Sequence, residues 1–120
     1  MRPADHGGEL MAVNDEILAA VRPTVPHVYP DIYTGDEDTY CTFTITEHPA
    51  EFQDNEPAEV LYDVQVHLFA PHGLNTMGLR RGIRDGLIST GFTHPTILPM
   101  SDSEVQHYVF ECEFSEEYDG

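Results

Sequence analysis

The stretch from Glu59 to Ala70 constrains the fold more than any other part of the chain. Val60, Tyr62, Val64, Val66 and Leu68 fall on one face of an extended segment, and Leu61, Asp63, Gln65, His67 and Phe69 fall on the other. Period two sustained over a dozen residues belongs to a strand with one buried side, because successive side chains of a strand point to opposite faces. Tyr40 to Glu47 repeats the pattern, with Cys41, Phe43 and Ile45 set against Thr42, Thr44 and Thr46. Val105 to Phe114 repeats it again, with Tyr108, Phe110, Cys112 and Phe114 set against His107, Val109, Glu111 and Glu113. A shorter extended piece is expected over Val28 to Tyr33, closed by a turn at Gly35.

Two segments have the helical period instead. From Leu10, apolar residues recur at Val13, Ile17, Ala20 and Val21. Asn14 is read as the cap, Asp15 and Glu16 suit the positive end of the helix dipole, and Pro23 stops the helix near Arg22. The second helix is expected from about Asn75 to Thr90. Leu79, Ile83 and Leu87 form its buried stripe, and Gly91 stands where a left-handed residue ends a helix. Gly78, Gly82 and Gly86 also recur every four residues, each costing about 1 kcal/mol against Ala in a helix interior. Such glycines either permit close backbone approach or are merely tolerated.

These elements predict an α+β domain: a mainly antiparallel sheet of three to four strands with two helices packed on it, in the order α-β-(β)-β-α-β. The chain of 120 residues suits one domain. Residues 1–11 read as a flexible polar lead, 12–115 as the domain and 116–120 as an acidic tail. The expected common core is Ile17, Phe43, Val64, Val66, Leu79, Ile83, Leu87 and Phe110. No apolar stretch approaches the roughly 20 residues of a membrane helix, and no apolar run follows Arg2 as in a secretory signal. The expectation is therefore a soluble protein of the cytoplasm.

Charge narrows the function classes. Twenty-two acidic residues against five basic ones give a formal net charge of -17. Phosphate binding needs clustered Lys and Arg to release counterions, so direct nucleic-acid binding is disfavoured. The charge serves solubility, or a surface that repels nucleic acid, or one that mimics it. All five basic residues are Arg, and Arg80, Arg81 and Arg84 lie within five positions.

Catalytic signatures are missing. There is no phosphate loop, no GxSxG and no dinucleotide fingerprint. The seven histidines lack the i, i+4 spacing of a helical zinc pair, although His67 and His107 would approach each other if their strands are neighbours. Cys41 and Cys112 sit on faces read as buried and are expected to be free, unreactive thiols. No enzyme activity, cofactor or metal is expected, and an interaction module is.

The segments NDEILAAVRP, YPDIYTGDEDTYCTFTITEHP, LYDVQVHLFAP, LRRGIRDGLISTGFTHP and QHYVFECEF, in that order, resemble the small tail-terminator or tail-completion proteins of long-tailed phages and prophages. The resemblance spans residues 11 to 115. It is carried by the YxTFxxxE strand, the YxVQVHxF strand, the Arg-bearing helix ending in GF, and the closing YVFECE strand. It implies a virion structural protein at the head-proximal end of the tail, assembled in the host cytoplasm. Such a protein forms a homo-oligomeric ring, commonly a hexamer, on the last ring of tail-tube protein. There it stops tube growth and docks the tail to the head connector or stopper protein, while DNA passes through without specific binding. The family implies no cofactor and no catalytic residue. The alternatives are another head-tail neck protein of similar size or an acidic DNA-mimic inhibitor.

Six residues are expected at interfaces. Phe52 is a large apolar residue in the polar loop between His48 and Pro57. Arg80, Arg81 and Arg84 share a helix face with Met77 and Ile88, away from the Leu79–Ile83–Leu87 stripe, and form a mixed basic and apolar strip.

Overall fold

A computed structural model describes residues 6–48 and 58–118, with side chains described over 12–48 and 60–116. The elements in chain order are α1 (His6–Val21), β1 (Val28–Pro30), β2 (Tyr40–Glu47), β3 (Ala58–Ala70), α2 (Met77–Thr90), β4 (Thr96–Pro99) and β5 (Gln106–Tyr118). The class is the expected α+β with two helices, but the sheet has five strands and is mixed. Its order is β1-β2-β3-β5-β4. β1 runs parallel to β2, and the other three pairings are antiparallel.

The count of three to four strands and the order α-β-(β)-β-α-β are thus corrected. The added strand is β4, whose four residues Thr-Ile-Leu-Pro are too short for an alternation to register. Pro99 is unsuited to a central strand, but β4 is an edge strand, where Pro is tolerated. The boundaries shift as well. α1 begins at His6, so the backbone of 6–11 is helical where a lead was expected, and Asn14 lies inside the helix instead of capping it. β5 continues to Tyr118, past the expected Phe114.

β3 is the spine. All thirteen of its residues pair with β5, from Ala58↔Tyr118 to Ala70↔Gln106, and Tyr62 to Phe69 pair with β2 on the other side. Period two therefore delivers Cys41 and Phe43 (β2), Val60, Tyr62, Val64, Val66 and Leu68 (β3), and Phe110 and Cys112 (β5) to one face, where the helices cover them. α1 contributes Val13, Ile17, Ala20 and Val21, and α2 contributes Ile83 and Leu87, all buried. Seven of the eight predicted core residues are buried; Leu79 is the exception, packed against the core but only partly covered. It lies one turn nearer the start of α2 than Ile83.

α2 is held at both ends. Gly91 takes φ 114°, and its N–H and that of Phe92 bond to the Ile88 and Leu87 carbonyls at 3.1 and 3.0 Å. That is the paired bond pattern by which a left-handed glycine satisfies the last carbonyls of a helix. At the other end, Gln106 Nε2 donates to the Pro71 and Leu74 carbonyls at 2.7 and 2.6 Å, and its Oε1 accepts from Thr76 Oγ1 at 2.9 Å. One side chain of β5 thereby fixes the turn that starts α2 and so the position of everything on its first two turns.

Candidate functional site: a basic groove and an open sheet face

The first two turns of α2 carry the arginines. Arg80 is the most constrained. Its Nε donates to Thr76 Oγ1 at 3.2 Å, and its guanidinium lies 4.3 Å from the centre of the Tyr108 ring. A cation over a Tyr face is attracted by the ring quadrupole. Arg84 Nε bonds Asp85 Oδ1 at 3.0 Å, an exposed neighbour pair worth little to stability. Arg81 is exposed.

With Met77, these three line one side of an open groove of about 560 Å³ whose other side is Ile97 and Pro99 of β4 and Tyr108 of β5. The sequence foresaw Met77, Arg80, Arg81 and Arg84 together, and the structure places all four in the groove. Ile88 is not among the lining residues and is half-buried one turn further on. The apolar floor is supplied by Ile97, Pro99 and Tyr108, which a helical wheel of α2 alone could not reveal. Met77 stands 49% exposed, an uncovered apolar side chain among three cations. Such a groove suits a partner that offers carboxylates around an apolar centre, because Arg pairs with carboxylate bidentately. Phe52 falls outside the described residues.

The opposite, helix-free face of the sheet is divided in two. At one end a row of rings crosses the strands: Tyr29, Tyr33, Tyr40, Phe69 and His107, with successive centroids 4.5, 4.7, 5.0 and 4.3 Å apart. His27 extends the row beyond Tyr29, and His67 stacks on both Phe69 and His107. These rings do the work of a missing helix. Thr42 and Val109 point to this face and are nonetheless buried, flanked in register by Tyr29 and His67 and by His67 and Leu98.

His67 Nδ1 and His107 Nε2 are 2.8 Å apart, so the expected approach of these two residues occurs. One neutral arrangement satisfies the whole chain of bonds. His107 Nε2–H donates to His67 Nδ1, His67 Nε2–H to Gln65 Oε1 at 3.3 Å, and Gln65 Nε2–H to Glu111 Oε2 at 2.9 Å. Burial holds both imidazoles below the usual histidine range, and the neighbouring His107 lowers His67 further. Among the described residues, no group of three or more His, Cys, Asp and Glu is placed to hold a metal ion.

The other end of this face is acidic. Asp63, Glu111 and Glu113 border an open concavity of about 570 Å³, flanked by Thr44 and Thr46 on one side and Thr93 and Thr96 on the other. Glu47 is exposed nearby. His48 Nε2 meets Asp63 Oδ2 at 2.6 Å, and that bond raises the His48 pKa. Cys41 is buried in the core, and Cys112 borders the concavity beside Glu111 and Glu113. Burial pushes Cys41 to about 12, and burial with the nearby Glu113 pushes Cys112 to about 12. Neither supplies a thiolate near neutral pH.

Compared with known proteins, the chain matches no family model and no curated sequence. Among the described residues, no helix is long and apolar enough to cross a membrane.

Proposed function

We propose that this chain is a structural subunit of a long-tailed phage, a tail terminator that assembles as a ring on the head-proximal end of the tail tube. In this reading it stops tube growth and offers the head connector or stopper protein a docking surface. It uses no cofactor and performs no catalysis. The observation that carries the reading beyond the resemblance is the segregation of charge. A chain at -17 gathers three of its five cations around an apolar floor in one groove and keeps exposed carboxylates on the far face of the sheet. Two unlike, complementary patches on one subunit are what a closed head-to-tail ring requires. Acidic side chains turned to the lumen would let DNA slide by repelling phosphate.

The test is tube assembly. Tail-tube protein polymerised with this protein should give tubes capped by a ring at one end and of arrested length, as seen by electron microscopy. Tubes that grow uncapped in its presence would sink the reading. The exposed carboxylates of the sheet face favour one second reading, an acidic mimic of DNA. A monomer that forms a stable complex with a basic DNA-processing enzyme, and never caps tubes, would decide for it.

A further inference from the structure

We infer that the groove of one copy receives the acidic end of the sheet of the next copy, the end built by β3 and β5 around Asp63 and Glu113. The inference rests on the assembly reading above and names the partner that reading leaves open.

The geometry begins with the two long strands. β4 accompanies β5 only from Tyr108 to Glu111, and β2 stops where Glu47 meets Tyr62. Beyond those points the register of β3 with β5 continues from Leu61↔Ser115 to Ala58↔Tyr118, and the His48 N–H still donates to the Leu61 carbonyl at 2.8 Å. Neither strand contains a Lys or an Arg, and the register partners Asp63 and Glu113 stand exposed side by side on the face away from the helices.

The groove is at the opposite end. Its floor includes Tyr108, five residues before Glu113 on the same strand, or roughly 16 Å at a strand's rise of about 3.3 Å per residue. It also lies on the helix side, whereas Asp63, Glu111 and Glu113 border the concavity on the helix-free side. A rigid strand cannot fold back over that distance, so the cations of a subunit cannot neutralise its own acidic end. Groove against groove, the arrangement of a two-fold dimer, would bring two sets of three guanidiniums together and is disfavoured by like charge. What remains is a head-to-tail contact. Carboxylates of one copy enter among Arg80, Arg81 and Arg84 of another, with Ile97, Pro99 and Tyr108 as the apolar floor beneath them.

The test uses the full-length protein, size-exclusion chromatography with light scattering, and two charge-reversed variants. The first is Arg81→Glu with Arg84→Glu, which spares Arg80 and its bonds to α2 and Tyr108. The second is Glu111→Arg with Glu113→Arg. Circular dichroism establishes that both fold. Wild type is expected to associate at low salt and to dissociate as salt rises. Each variant alone is expected to lose association by on the order of a hundredfold, and an equimolar mixture to recover it, because each then supplies the patch the other lacks. If the second variant associates like wild type, or the mixture fails to recover, the inference is overturned. The assembly reading then stands or falls on tube capping by the wild type. Caps formed by the second variant but not by the first would show that the groove takes tube protein instead of a second copy.

Discussion

Gly86 offers the sharpest test of the helix packing. α1 and α2 run in opposite senses over the sheet, with Ala20 of α1 against Gly86 and Thr24 against Gly82. A Cβ added at Gly86 would fall on the Ala20 carbonyl oxygen and stand 3.1 Å from the carbonyl carbon. The obstacle is backbone in the last turn of α1, and it cannot rotate aside. Accommodating the methyl means moving one helix by on the order of 1 Å, which disturbs Ile17, Val21, Ile83 and Leu87 beneath the crossing. Overpacking of this kind costs about 1–3 kcal/mol, and the upper half of that range applies because the contact is rigid.

Against it stands the helix propensity of Ala, about 1 kcal/mol better than Gly. Gly86→Ala should therefore lose about 1–2 kcal/mol net. Gly78 is the internal control. It lies two turns earlier on the same row, and a Cβ there meets nothing within 4 Å. Gly78→Ala should gain up to about 1 kcal/mol from propensity alone, since Gly78 lies in the first turn and the full value belongs to a helix interior. In thermal unfolding followed by circular dichroism, 1 kcal/mol is roughly 3–6 °C for a domain of this size. The expected order of melting temperatures is Gly78→Ala above wild type above Gly86→Ala. A Gly86→Ala protein that melts at or above wild type would refute the close crossing.

Three further outcomes follow from the same contacts. Ile83→Ala and Leu87→Ala should each cost about 2–5 kcal/mol in urea unfolding, and a loss below about 0.5 kcal/mol at both would mean that α2 presents a different face. Gln106→Leu removes the bonds to the Pro71 and Leu74 carbonyls and to Thr76 Oγ1 and should cost about 1 kcal/mol, since the two carbonyls are open to water; an unchanged denaturation midpoint would remove Gln106 as the clip of α2. His67 and His107 are held below the range they regain on unfolding, so the unfolded chain takes up their protons first. Their contribution is full above about pH 6.5 and is lost as pH falls through their lower folded values, so His67→Phe should flatten the loss of melting temperature between about pH 7.5 and 5.5. The raised His48 acts in the opposite sense, but it is exposed and its effect is small.

Most of the fold was legible because burial and alternation coincide. β2 has the bounds read from its threonines, and β3 and α2 differ from expectation by two residues or fewer. β4 was not legible: four residues carry no period, and its pairing with β5 is a long-range fact. The outer aromatic row was missed for a related reason. Tyr29, Tyr33, Tyr40, Phe69 and His107 come from separate segments, and only the β2–β3–β5 register sets Tyr40 beside Phe69 and Phe69 beside His107. One signal was available, since Phe69 and Val109 are large apolar residues on a face otherwise read as polar. The groove was half legible for the same reason. Helical spacing grouped the arginines, but Ile97, Pro99 and Tyr108 opposite them could be found only once β4 was placed at the sheet edge.

That edge also explains how one acidic chain can hold a patch attractive to its own kind. At a net charge of -17, unlike copies of a neutral protein, these subunits repel one another at long range. Association must overcome this through a short-range contact, and the groove has the features for one. Arg80 lies half-buried against the Tyr108 ring, where charge pairs are screened less than on open surface. Arg80 is already oriented by Thr76 and Tyr108, so less side-chain freedom is lost when a carboxylate arrives. Thr76 is in turn held by Gln106 of β5. The placement of a cation on α2 therefore depends on a glutamine two elements later in the chain, and loosening that clip should weaken assembly as well as stability.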